Sequence, residues 1–210
     1  MDAKNVCKKG SRNNTVRNSQ ESNFSISSVY TIFKLFLLHL VLKIHKVSYG
    51  KKLRGNSCLI KNRGRIKLGN HIFLHSYPDG TLRKTALLTH CNSSLIQIGD
   101  NCVLNGTTIH SRKAVIIGNN CMFGPGVVII DNDSHNTSID PATRRFGKIA
   151  AKEVIIGDNV WIGMNSIILK GVHIGNNSII AAGAVVSNNV PSNQIFGGNP
   201  ALLIKKLEID

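Results

Sequence analysis

Residues 153–190 read EVIIGDNVWIGMNSIILKGVHIGNNSIIAAGAVVSNNV, and the spacing within this stretch decides the fold. Ile156, Ile162, Ile168, Ile174, Ile180 and Val186 recur at every sixth residue without a miss. Four positions after the first five of these stand Val160, Ser166, Val172, Ser178 and Ala184, all small or β-branched. Gly157, Gly163, Gly171, Gly175 and Gly183 punctuate the same run. A period of six fits neither a helix face nor the alternation of an ordinary strand. It fits a three-sided solenoid whose coil takes three hexapeptides, each supplying one flat side and one corner. The large aliphatic residue points inward and stacks on its equivalent in the next coil, ~4.8 Å away. The small residue fits inside the corner, and Gly, Asn and Asp tolerate the positive φ that turning demands.

The pattern continues upstream through Ile117, Phe123 and Ile129, then Ile98 and Leu104, and faintly Leu68 and Leu74. Residues 53–206 are thus expected to form one all-β solenoid. The repeat breaks once in its strongest region, where 26 residues separate Ile129 from Ile156. The polar filling, DNDSHNTSIDPATRRFGKIAAKE over 131–153, contains Pro141 and Gly147 and must leave the coil as a protruding loop. It carries His135, with Asp131 and Asp133 just ahead. By itself one loop histidine reads as an incidental surface residue; as a neutral imidazole it can also serve as a general base. A neighbouring carboxylate can fix its tautomer, and Asp131, which ends the last regular repeat, is the preferred candidate. Turn-forming or solvated acids are the alternative reading of both aspartates.

Before the solenoid the character differs. Residues 1–23 are polar, rich in Asn, Ser, Lys and Arg, and are expected to be a disordered basic tail. Residues 24–50 hold a Leu- and Phe-rich segment without Gly or Pro before Gly50, which reads as an apolar helix. Lys34, His39 and Lys43 keep its apolar runs far below the ~20 residues needed to span a bilayer. Such a helix either lies at a membrane interface, flanked by basic residues, or packs on the domain or a partner subunit. Residues 1–55 contain eleven Lys or Arg against Asp2 and Glu21, which is +9 of the formal +15. That excess suits an anionic surface. Nucleic acid is not expected, because one Trp, three Tyr and seven Phe form no aromatic-basic stripe. The five cysteines, Cys7, Cys58, Cys91, Cys102 and Cys121, form no CxxC pair and read as free thiols. With no apolar leader in the first 23 residues, the expected compartment is the cytoplasm, possible contact with the inner membrane face included.

The motifs "VWIG", "GVHIG", "AAGAVV" and "GGNPA" within 153–201 resemble those of the hexapeptide-repeat acyltransferases. Within them the sequence resembles the sugar and polysaccharide O-acetyltransferases related to the maltose and galactoside enzymes. The resemblance covers residues 53–206 and implies a left-handed parallel β-helix, a homotrimer, and acetyl-CoA as acyl donor without a metal. It implies a sugar or polysaccharide acceptor. His135 matches the catalytic histidine of that family, at the start of the loop ahead of "VWIG". Trp161 matches the "VWIG" tryptophan near the acyl-transfer site. Gly163, Ala182 and Ser187 match positions along the pantetheine arm, and Lys205, beside Lys206, a basic position that meets CoA phosphates. Asn105, in "VLNGTTIH", matches an acceptor-facing asparagine; a plain corner residue is its alternative. Met164 and Asn188 depart from the polar residue and the lysine common there. The acceptor-binding N-terminal segment of the maltose enzymes is missing, which favours a glycan or glycan precursor over a free disaccharide.

Two other classes share the solenoid. A γ-type carbonic anhydrase needs three histidines gathered on Zn²⁺, for which His71 and His75 have suitable spacing but His110, His135 and His173 lie elsewhere. A non-catalytic scaffold would have a tight corner where the long loop stands. Serine acetyltransferase, on the same fold, carries a large helical N-terminal domain that this sequence lacks.

Overall fold

The computed structural model describes residues 26–76 and 84–208. The tail over 1–23, and Cys7 with it, lie outside the described residues. Three parallel sheets run the length of the molecule as the sides of a left-handed prism, each coil giving one short strand to each side. The first face stacks Ser48–Tyr49, Arg65–Leu68, Leu95–Ile98, Ala114–Ile117, Val154–Ile156 and His173–Ile174. The second stacks Arg54–Gly55, Phe73–His75, Val103–Asn105, Met122–Phe123, Trp161–Ile162, Ile179–Ile180 and Gln194–Gly197, closed by antiparallel Leu202–Lys206. The third stacks Leu59–Asn62, Ala86–Thr89, Thr108–Ser111, Val128–Ile130, Ile167–Ile168 and Val185–Val186.

The sixfold pattern is the core. Leu68, Ile98, Ile117, Ile156 and Ile174 form one buried column, and Leu74, Leu104, Phe123, Ile162 and Ile180 another. Leu87, Ile109, Ile129, Ile168 and Val186 form the third. Burying each such side chain stabilises the fold by about 1.5–3 kcal/mol, so the columns supply most of the driving force. Cys102 and Cys121 stack below Val160 and Ser178 as the small residues inside one corner, fully buried and unpaired as disulfides. Their thiols donate to the carbonyls of Gly118 at 3.2 Å and Gly157 at 3.1 Å.

At the "IG(N/D)N" corners asparagine, of the Gly, Asn and Asp expected there, supplies the left-handed backbone. Asn101, Asn120, Asn159, Asn177 and Asn193 hold φ of 57°, 58°, 55°, 59° and 58°. The residue before each of the first four is an acceptor: Asn119 Oδ1 takes the Asp100 N–H at 2.8 Å, and Asp158 Oδ1 takes that of Asn119 at 2.6 Å. Glycine is required by proximity. A Cβ on Gly118 would sit 2.3 Å from Asp158 Oδ1 and 2.8 Å from the Gly157 carbonyl. At other corners glycine does adopt positive φ, as at Gly126 and Gly183, both 73°.

Helix α1 spans Ile26–Ile44 and closes the first coil, with Leu38 and Leu42 buried in the core. It ends at Ile44, ahead of the residue 50 expected. Lys46 turns left-handed at φ 53°, and the N–H groups of Lys46 and Val47 return to Lys43 O and Leu42 O at 3.0 and 2.9 Å. This is a Schellman ending, sealed by buried Val47 against Leu42. The solenoid consequently starts at Ser48, ahead of residue 53.

Candidate functional site

The loop leaves the third face as a short antiparallel stem. Ile156 pairs with Ile174, eighteen residues on, whereas Ile117 pairs with Ile156, thirty-nine residues on; the excess is the loop. Asn132 bridges Ala151, Asp133 N–H reaches Ala150 O at 3.1 Å, and Lys152 N–H reaches Asp131 O at 2.8 Å. Helix α2, Pro141–Phe146, forms inside it because Asp140 caps the Thr143 N–H at 2.7 Å and Pro141 fits the first turn. Asn136 Nδ2 donates to Lys148 O at 2.7 Å and Arg144 Nε to Ser138 O at 2.8 Å, so the loop carries its own framework. His135 stands on the outgoing arm. Its N–H bonds Asp133 O at 2.7 Å, its side chain is exposed, and its ring makes no hydrogen bond among the described residues.

Asp131 does not orient that ring. It is fully buried, and its carboxylate accepts from Arg112 N at 2.7 Å, Lys113 N at 2.7 Å, Ser111 Oγ at 3.0 Å and Asn132 Nδ2 at 3.0 Å. An inward position at the end of a repeat points the carboxylate at the previous coil's corner, where unpaired N–H groups need an acceptor. The fixed location that recommended Asp131 is what takes it away from the imidazole. Asp133 instead forms an ion pair with Lys170. Asn132, Asp133, Lys152, Leu169, Lys170 and Ser187 together line a polar hollow at the loop's base. Lys170, unremarked in the sequence, belongs to this site because Leu169 stacks one coil above the loop's exit.

Trp161, Gly163 and Ala182 come together elsewhere, in an apolar groove along the second face that Pro125, Met164 and Ala181 complete. Trp161 is 49% exposed and Met164 46%, large apolar surface facing outward. The groove's floor is bare backbone, for a Cβ on Gly163 would meet Ala182 N at 2.5 Å. Gly163 is thus demanded by coil stacking whatever the groove holds. Ser187 is not in this groove; it faces the polar hollow on the third side. Lys205 lies exposed on the terminal antiparallel strand, opposite Ile195, whose other neighbour is Ile179. Asn105 sits at a corner, donating to Phe123 O at 3.2 Å.

Two histidines missed as a pair stack on the third face, His90 and His110, with Nε2 to Nδ1 at 3.3 Å. Desolvation lowers the pKa of both, with Arg112 and Lys61 adding to the effect at His90 and Asp131 opposing it. Their proximity depends on two coils being in register, which no local motif signals. Among the described residues no three His, Cys, Asp or Glu side chains converge as metal ligands.

The family pattern described as Bacterial transferase hexapeptide (six repeats) matches residues 153–188. The chain is 39% identical over 133 residues to a galactoside O-acetyltransferase of Lactococcus lactis, covering 53% of this chain and 63% of that protein, so it spans under two thirds of that relative. It is 30% identical over 160 residues to Escherichia coli WbbJ, provisionally named a lipopolysaccharide biosynthesis O-acetyl transferase, covering 71% of this chain and 76% of that protein. Among solved structures, a galactoside acetyltransferase in complex with coenzyme A superposes with a TM-score of 0.56 at 20% identity, covering 89% of this chain and 86% of that one, a likeness of fold. By repeat, fold and extended sequence likeness together, this chain belongs to the hexapeptide-repeat acyltransferases, in the branch that holds the sugar O-acetyltransferases.

Proposed function

We propose that this protein moves an acetyl group from acetyl-CoA directly to a hydroxyl of a sugar, in a surface polysaccharide or its precursor, with His135 as general base. The observation that carries the reading is the unpartnered imidazole on a loop braced by its own hydrogen bonds. A rigid support holds the base in place at low entropic cost, and an unpaired ring nitrogen is free to take a proton. The hydroxyl oxygen attacks the thioester carbonyl as its proton passes to the imidazole. The tetrahedral adduct then expels the CoA thiolate, which takes the proton from the imidazolium. The narrow apolar groove over Gly163 and Ala182 suits an extended pantetheine chain, and Lys205 at its far edge suits the phosphates. The names of the relatives support the sugar acceptor.

The groove and the loop rise from different faces, which supports a site shared between subunits of a homotrimer. Trp161 and Met164 on the second face, and Ile139 (92% exposed) and Phe146 (80%) on the loop, offer apolar surface for that contact. No helix among the described residues is long and apolar enough to cross a membrane; the cytoplasm is the proposed compartment. The test is incorporation of radiolabelled acetyl from acetyl-CoA into an extracted cell glycan, located by mass spectrometry. Transfer by the wild type and none by His135→Ala supports the reading; equal transfer by a folded His135→Ala overturns it.

A further inference from the structure

Helix α1 is apolar on two opposite sides, and only one is used. Leu38 and Leu42 enter the core, with Leu35 and Val41 partly buried beside them. At roughly 100° per residue, Val29, Tyr30, Ile32, Phe33, Phe36, Leu37, Leu40 and Ile44 fill an arc of about 160° on the other side, into which only Lys43 intrudes, in the last turn. Each of the eight is exposed, Phe36 at 62% and Ile44 at 66%. An arc of this width and size is an attachment surface. Polar groups edge it: Lys34 lies 4.1 Å over the Tyr30 ring, and His39 bonds the Tyr49 hydroxyl at 3.1 Å.

The charge around this helix identifies the occupant. Between Glu21 and Asp79 the sequence holds ten Lys or Arg and no acid. Lys43, Lys46, Lys51, Lys52 and Arg54 are exposed on the helix end and first coil, and Lys61, Arg65 and Lys67 on the strands that follow, with Arg63 in the bend between them, are exposed as well. Over 85–208, by contrast, nine basic residues stand among seven acidic ones. Two copies of this end brought together would set these unbalanced cations against each other. An anionic lipid surface neutralises them while its acyl region takes the aromatic and aliphatic arc. Lysines at the rim can keep their ammonium groups at headgroup level with their stems along the apolar face.

We infer that the α1 face and the basic first coils form a docking surface for an anionic lipid bilayer, held at the interface without a membrane span. This does not rest on the acetyltransferase reading. The test is co-sedimentation of the full chain with sucrose-loaded vesicles of phosphatidylcholine, with and without phosphatidylglycerol. Expected is binding to the anionic vesicles, at least tenfold weaker binding to the neutral ones, and release by high salt. Phe33→Glu with Phe36→Glu lowers partition at least tenfold while leaving sedimentation mass and circular dichroism unchanged. Lys51→Glu with Lys52→Glu, which leaves the apolar face intact, removes part of the preference for phosphatidylglycerol. Failure of the wild type to bind anionic vesicles overturns the inference. So does binding that survives the double phenylalanine change, or a change in assembly mass by that variant alone, which would give the face to a second copy.

Discussion

In the proposed reaction His135 is the general base, and its replacement separates binding from catalysis. His135→Ala is expected to lower turnover about 10²–10⁴-fold, the range for losing a general base, with the acetyl-CoA Kd unchanged by calorimetry. His135→Asn is expected to fail equally, since an amide cannot take the proton. His173→Ala, on the first face, serves as the control. Asp131 is expected to behave otherwise. Its carboxylate satisfies two backbone N–H groups and a hydroxyl in full burial, and each donor left unpaired costs about 1–3 kcal/mol. Asp131→Ala is therefore expected to show a clear drop in Tm. A variant with normal Tm and a displaced pH–rate profile would return Asp131 to the imidazole. The His90–His110 pair makes a pH statement about stability. Burial holds both pKa values below the usual 6.5, so the unfolded chain binds more protons and stability falls as pH drops through 6.5 toward the lowered values. The loss of Tm between pH 7.5 and 5.5 is expected to be smaller in His110→Gln than in the wild type, measured by calorimetry.

At the scale of elements, the corner explains why the repeat is written as it is. A carbonyl or carboxylate oxygen of one coil caps the N–H of the coil before it, an asparagine makes the left-handed step, and glycine admits the next backbone. Gly118→Ala places a Cβ 2.3 Å from Asp158 Oδ1, and overpacking of this kind costs about 1–3 kcal/mol. Asn177→Gly, which keeps the φ of 59° accessible, is expected to be tolerated by comparison. Chemical denaturation of the two variants checks the ordering. The helical segment shows where local reading stops. Its composition announces a helix, yet its end at Ile44 is set by the Schellman turn and by Val47 entering the core beside Leu42, a contact that composition does not reveal.

For the whole molecule, the separation of loop and groove yields the most discriminating experiment on the site. If each site takes His135 from one subunit and Trp161 from another, mixing His135→Ala chains with chains carrying an inactivating Trp161→Asp regenerates some wild-type sites. Partial recovery of activity after subunits are unfolded and refolded together is the expected outcome. Recovery that never exceeds either variant alone would place the site within one subunit. The sequence by itself determined the solenoid, its three inward columns and the one loop that leaves it. A six-residue period repeats one local packing solution, and every repetition reports the same geometry. It also drew attention to the loop that carries His135, because an interruption of so regular a pattern stands out. Only the tertiary structure decided which side chains meet: that Asp131 serves the preceding coil, that Asp133 pairs with Lys170, that Ser187 faces away from the Trp161 groove, and that α1 keeps a second apolar face outside. Those outcomes depend on which coil lies above which and on which of three faces a residue takes. Such relations join positions tens of residues apart, and no local spacing encodes them.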